Sequence, residues 1–118
     1  MKLIYVVEDD DLLAEHYKRL LKGYDVKVFS NDIDAMAAID TRTPNVIVLD
    51  IMLDGPSGFA LLNELQSYTD TAKIPVIVCS NMANELKGQL STYNIQTILD
   101  KSTMETDDLK RAINELAN

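Results

Sequence analysis

VIVLDIMLDGPSG, residues Val46 to Gly58, changes character partway along. Its first four residues are apolar on both faces of any strand they form, which suits a dry interior. Asp50 then sets a carboxylate where the interior run stops. The same change occurs near the start of the chain. In IYVVEDDD the apolar run gives way to Glu8, Asp9, Asp10 and Asp11. Two segments meant for burial therefore end in negative charge, and the fold has to supply the reason.

Outward from these stretches the chain alternates. Leu3–Val7 is a third strong apolar run with Val46–Leu49 and Ile74–Cys79, and Val26–Phe29 and Ile95–Leu99 are weaker ones. Between them the spacing predicts helices of about ten to thirteen residues. The first runs from Asp10 to Lys22, with Leu13, Tyr17, Leu20 and Leu21 on one face and Gly23 as its stop. The second has Asn31 as its cap, acids in its first turn, and Ile33, Met36, Ala37 and Ile39 turned inward. The third follows Gly58 with Phe59, Leu61, Leu62 and Leu65, and the fifth carries Leu109, Ile113 and Leu116. The fourth, around Asn84 to Thr92, is weakened by Gly88, which costs ~1 kcal/mol against alanine in a helix.

Strict alternation of strand and helix implies a parallel sheet covered on both faces, an α/β doubly wound fold of five strands. LIYVV, VIVL and IPVIVC are apolar on both faces, as central strands must be. DVKVFS and NIQTILD interleave polar residues, as edge strands do. Strands one, three and four are thus central and two and five are edges, which matches the order 2-1-3-4-5. Hydrophobicity alone leaves strands three and four interchangeable. In such sheets ligands bind beyond the carboxyl ends of the strands, at the switch point between strands one and three. Glu8 and Asp9 end strand one, Asp50 ends strand three, Ser80 ends strand four, and Lys101 follows strand five. One crevice collects three carboxylates, a hydroxyl and an ammonium.

That collection has a chemistry. Three close carboxylates raise one another's pKa values unless a cation sits between them. Oxygen ligands, few in number and partly open to water, suit Mg²⁺ better than zinc or copper. A divalent ion and a lysine neutralise phosphoryl oxygens while a carboxylate attacks phosphorus and forms an acyl phosphate.

Composition narrows the field. At 118 residues the sequence predicts a single domain, 1–118, with one core. Its net charge is −8, and its eleven lysines and arginines are scattered, which argues against a nucleic-acid interface. No apolar stretch approaches the ~18 to 20 residues that span a bilayer, and no signal peptide opens the chain. A lone Cys79 excludes an internal disulfide and a thiolate zinc cluster. The expected location is cytoplasmic.

VVEDD, VIVLDIMLDGPSG, IPVIVCSN and ILDKS, in this order and spacing, closely resemble the receiver domain of two-component response regulators. The resemblance covers essentially the whole chain, and members of that family share the flavodoxin-like (βα)5 strand order, so the order is not independent support. It implies that Asp50 accepts a phosphoryl group from a sensor histidine kinase or a histidine phosphotransfer protein. It implies that Asp9, Asp50 and the Met52 backbone carbonyl bind Mg²⁺, with Glu8 acting through a water. Ser80 would bond to the phosphoryl group and Lys101 would pair with it. It further implies partner binding or homodimer formation through a surface made by the fourth helix, fifth strand and fifth helix. The module is a switch rather than an enzyme.

The sequence also departs from the family's pattern. Ser102 stands where proline usually follows a cis bond, in a loop about one residue longer than usual. Ile98 replaces a switching aromatic, Ser80 replaces threonine, Asn81 replaces a very small residue, and Asp54 stands where proline is common, with Pro56 two residues on. Met52 and Met82 flank the approach of water to the phosphorus, and thioethers orient water poorly, so self-dephosphorylation should be slow. Two other classes compete. A phosphate-independent pseudo-receiver is countered by the complete acidic set, though Asn81, Ile98 and Ser102 favour it. A phosphatase of the haloacid-dehalogenase type needs a second Asp two residues after the first, where this chain has Met52. Asp10 and Asp11 read as capping or solvated charges, Cys79 as a buried small hydrophobe, and His16 as exposed.

Overall fold

Five parallel strands form the centre of the computed structural model, which describes residues 1–53 and 57–117, the Ser57 side chain excepted. The elements run β1 (Leu3–Val7), α1 (Asp11–Leu20), β2 (Asp25–Phe29), α2 (Asp32–Thr41), β3 (Val46–Leu49), α3 (Ser57–Ser67), β4 (Val76–Ser80), α4 (Lys87–Leu90), β5 (Thr97–Asp100) and α5 (Thr106–Ala117). The sheet order is β2-β1-β3-β4-β5, so β3 does precede β4 across the sheet. β1, β3 and β4 are buried along their whole length, whereas β2 and β5 are partly exposed, as their polar interleaving requires.

Side chains of a strand alternate between the two faces of the sheet, and here each face has its own core. On one face Tyr5, Val7, Ile47, Leu49 and Val78 meet Ile39 of α2, Leu61 and Leu65 of α3 and Leu90 of α4. On the other, Ile4, Val6, Val48, Ile77 and Cys79 meet Tyr17 and Leu21 and the Leu109 and Ile113 face of α5. Each fully buried side chain of this size contributes roughly 1.5–3 kcal/mol relative to exposure. The double cover is what lets the strands be apolar on both sides. It also leaves only the strand ends free to carry charge.

Helix boundaries show where local signals were decisive. Asp10 is the N-cap of α1, its carboxylate accepting from the amides of Leu12 and Leu13 at 3.0 and 3.2 Å. Gly23, with φ 99°, turns the chain from α1 into β2, a conformation that disfavours any side chain. Asn31 caps α2 as its sequence predicts, accepting from Asp34 N at 2.8 Å. The inward set of α2 differs, however. Ala35 and Ile39 face the core, Met36 is half-buried, Ala37 is exposed, and Ile33 is 76% exposed. The segment is apolar around much of its circumference, so its pattern does not fix its rotation. α4 is a single turn, Lys87–Leu90, rather than the longer helix expected over Asn84 to Thr92, with no side-chain cap and Gly88 inside it. Asp54 and Pro56 lie outside the described residues.

α3 starts at Ser57, two residues earlier than predicted, so Gly58 lies in its first turn. Gly58 N donates to Ile51 O at 3.2 Å. A Cβ there would lie 2.5 Å from Ile51 Cα and 2.8 Å from Asp50 O. The helix start is pressed directly against the backbone that carries Asp50.

Candidate functional site

The sheet ladder sets the level of the site. Val7 of β1 pairs with Leu49 of β3, so the next residues, Glu8 and Asp50, emerge side by side. Asp50 N donates to Val7 O at 3.0 Å, and Glu8 N donates to Phe29 O at 2.9 Å. On the far side Ser80 pairs with Asp100, and Lys101 N donates to Ser80 O at 3.1 Å. Parallel register alone therefore brings residues 8, 50 and 101 to one edge of the sheet.

Glu8, Asp9 and Asp50 each offer an oxygen within 4.8 Å of the others. Glu8 and Asp50 are buried, while Asp9 is exposed and opens the cluster to water. Lys101 Nζ donates to Glu8 Oε1 at 2.7 Å and to Asp50 Oδ2 at 2.8 Å. The remaining oxygens are also held: Glu8 Oε2 accepts from Asp10 N at 3.2 Å, and Asp50 Oδ1 accepts from Met52 N at 3.1 Å. Burial pushes the Glu8 carboxyl above its usual range, against the pull of Lys101. Burial also works against the Lys101 charge, but the hydrogen bonds to Asp50 and Glu8 outweigh it and its pKa is raised. The lysine is fixed in its charged form.

Three formal carboxylates against one ammonium leave two negative charges in excess, the charge of one divalent cation. The donors are all hard oxygens, two buried and one wet, with no sulfur or imidazole among them. That set fits Mg²⁺, which prefers oxygen and keeps part of its water shell. When bound, the ion supplies positive charge to incoming anionic oxygens.

The structure brings Glu8, Asp9, Asp50 and Lys101 together and treats Ser80 and Met52 differently. The Ser80 hydroxyl is fully buried and accepts from Met82 N at 3.1 Å, with no hydrogen bond to Asp50. Met52 contributes its amide to Asp50, and the Met52 and Met82 side chains are both well exposed. The Lys101–Ser102 peptide is trans. In place of a proline, the Asp100 carboxylate accepts from Ser102 N at 2.9 Å and from the Ser102 hydroxyl at 2.6 Å. Thr103 N and Met104 N close the same turn on Asp100 O. The Ser102 hydroxyl first, then its amide, holds the Asp100 carboxyl below its usual pKa.

Two features were not foreseen. One is the packing of Gly58 against the Asp50 backbone, for which a lone glycine near a helix start is the only sequence signal. The other lies under the crevice, where Tyr17 buries its hydroxyl beside the Cys79 thiol. Burial raises both pKa values, that of Cys79 to about 12, so both groups stay protonated.

The family model of the response regulator receiver domain matches residues 4–114. The chain belongs to that family. Among curated relatives this receiver domain is 31% identical over 85 residues to protein-glutamate methylesterase/protein-glutamine glutaminase 3 of Rhodospirillum rubrum, covering 70% of this chain and 22% of that protein. It is 30% identical over 84 residues to the phosphate regulon transcriptional regulatory protein PhoB of Rhizobium meliloti, covering 70% of this chain and 37% of the relative. The chain thus spans well under half the length of these relatives, and only the receiver part of the methylesterase is matched. Among solved structures it resembles the receiver domain of sensor histidine kinase PA1611 from Pseudomonas aeruginosa PAO1, which has a magnesium ion coordinated in its active site cleft. That likeness, with TM-score 0.86 at 18% identity over 98% of this chain and 97% of the other, concerns the fold. Receiver domains of two-component systems are phosphoacceptor switches rather than classical enzymes. Among the described residues no helix is long and apolar enough to cross a membrane.

Proposed function

We propose that this receiver takes a phosphoryl group onto Asp50 in a Mg²⁺-dependent reaction and thereby switches its binding to a downstream protein. The observation that carries this reading is Lys101 Nζ bridging Glu8 and Asp50 at 2.7 and 2.8 Å beside the exposed Asp9. A pseudo-receiver has no need of a complete acidic set with its lysine in place.

A carboxylate oxygen of Asp50 attacks the phosphorus of a phosphohistidine on the donor. The P–O bond forms as the P–N bond breaks, and the electron pair leaves with the donor imidazole. Asp9, Asp50 and the Met52 carbonyl would hold Mg²⁺, with Glu8 acting through a water. Lys101 exchanges one carboxylate partner for a phosphoryl oxygen. The Ser80 hydroxyl exchanges the Met82 amide for another, which pulls on the Asn81–Leu86 loop. Ile98 on β5 has neither ring nor hydroxyl, so the signal leaves by that loop and α4. The face made by α4, β5 and α5 is the surface offered to a partner or a second copy.

Incubation with acetyl phosphate and Mg²⁺, followed by intact mass measurement, tests the reading. One added phosphoryl group on the wild type, lost without Mg²⁺ and absent from Asp50→Asn, is the expected result. An unlabelled wild type that still binds its partner would establish the pseudo-receiver instead.

A further inference from the structure

α2 has more apolar surface than the core uses. Ile33 is 76% exposed although it sits in the first turn of a helix whose Ala35 and Ile39 are sealed inside. Ile33 and Met36 open onto a groove between α2 and α3, floored by Leu61, with a volume of about 320 Å³. A second cavity of about 300 Å³ continues it toward Tyr68, itself 55% exposed, and the two share Met36, Asp40 and Glu64. The rim is acidic from end to end: Asp32, Asp40 and Glu64, then Asp70. No lysine or arginine lines either cavity, and none of the ion pairs among the described residues uses these four acids. An apolar floor with a rim of one sign is a surface in want of a complement.

The sign of the rim selects the occupant. A second copy of the same face brings like charges together, and nucleic acid and anionic lipid are repelled. What fits is a helix with apolar side chains on one face and lysine or arginine on its flanks. From Asp32 to Asp40 the helix rises about 12 Å, enough to seat roughly two turns of a partner. We propose that the α2–α3 groove is a docking surface for a basic amphipathic helix of a partner protein. It lies apart from the acidic crevice and does not depend on phosphate at Asp50.

Methyl and amide NMR of the whole chain tests this, with saturating Mg²⁺ to shield the crevice. The probe is a synthetic 14-residue helical peptide with leucine on one face and lysine on the other. Shift changes should centre on Ile33, Met36, Leu61 and Tyr68, and Ile33→Ser and Asp40→Asn should each weaken binding at least fivefold. Ile33 is exposed, so its replacement leaves the fold intact. Three results overturn the proposal: shifts centred elsewhere, equal binding by a peptide with serine for leucine, or a dimer of the free chain that Ile33→Ser dissolves. The second reduces the effect to bulk charge, and the third makes a second copy the occupant.

Discussion

Lys101 holds two carboxylates with one nitrogen, and its position depends on the residue before it. The Asp100 carboxylate gathers the amide and hydroxyl of Ser102 and so folds the turn that follows β5. Because those bonds favour the carboxylate, its folded-state pKa lies below the ordinary 3.8. A depressed acid contributes stability that is fully present above the unfolded value and is lost as pH falls through the folded one. Ser102→Ala should move the Asp100 titration up toward 3.8, read by carbon-13 NMR of the side-chain carboxyl. The stability gap between wild type and variant should close on acidification below that value. A gap that does not narrow on acidification, or an Asp100 titration unmoved by the substitution, contradicts the turn described here.

Two glycines in helices carry opposite expectations. At Gly58 a Cβ meets the Ile51 and Asp50 backbone at 2.5 to 2.8 Å, so alanine must push α3 away from the strand end. Gly58→Ala should destabilise by about 1–3 kcal/mol, as overpacking does, and slow acceptance of phosphate because Asp50 moves with its backbone. At Gly88 nothing lies within 4 Å of a Cβ, so Gly88→Ala should stabilise by roughly 0.4–1 kcal/mol. Denaturant titration of both variants checks the signs, and a stabilised Gly58→Ala contradicts the close approach. The same elements show how far the sequence could be read. β1 and β3 were legible to the residue because double burial demands unbroken apolar runs. Asn31 was legible as a cap because capping is local chemistry, while Asp10 read equally as a cap or a solvated charge. The rotation of α2 was not, since an all-round apolar segment leaves the choice of face to tertiary packing. α4 was overextended because the turns beside Lys87–Leu90 close on carbonyls three residues back, as Lys87 N does on Asn84 O and Thr92 N on Gln89 O, rather than continuing the helix. In the crevice, Glu8, Asp9, Asp50 and Lys101 could be placed from strand ends alone. The turn of Ser80 toward Met82 N and the contact of Gly58 depend on loop geometry that no periodicity encodes.

Across the whole molecule, one sheet edge gathers charge that the two cores exclude, and under the proposed function its surroundings would set how long a phosphoryl group on Asp50 lasts. Met52 and Met82 stand exposed beside Asp50 and Ser80, offering a water no strong acceptor. Hydrolysis of an acyl phosphate needs that water in line behind phosphorus. Met52→Asn with Met82→Glu should therefore speed loss of phosphate at least several-fold, followed by intact mass over time; unchanged or slower decay would show that water placement is not limiting. The central claim is the assignment of the acceptor itself. Borohydride reduces an aspartyl phosphate to homoserine, so treating the phosphorylated chain and sequencing its peptides by mass spectrometry reads the acceptor directly. The predicted result is homoserine at position 50 alone. Homoserine at Asp54 or at Asp9, with position 50 intact, would contradict the account.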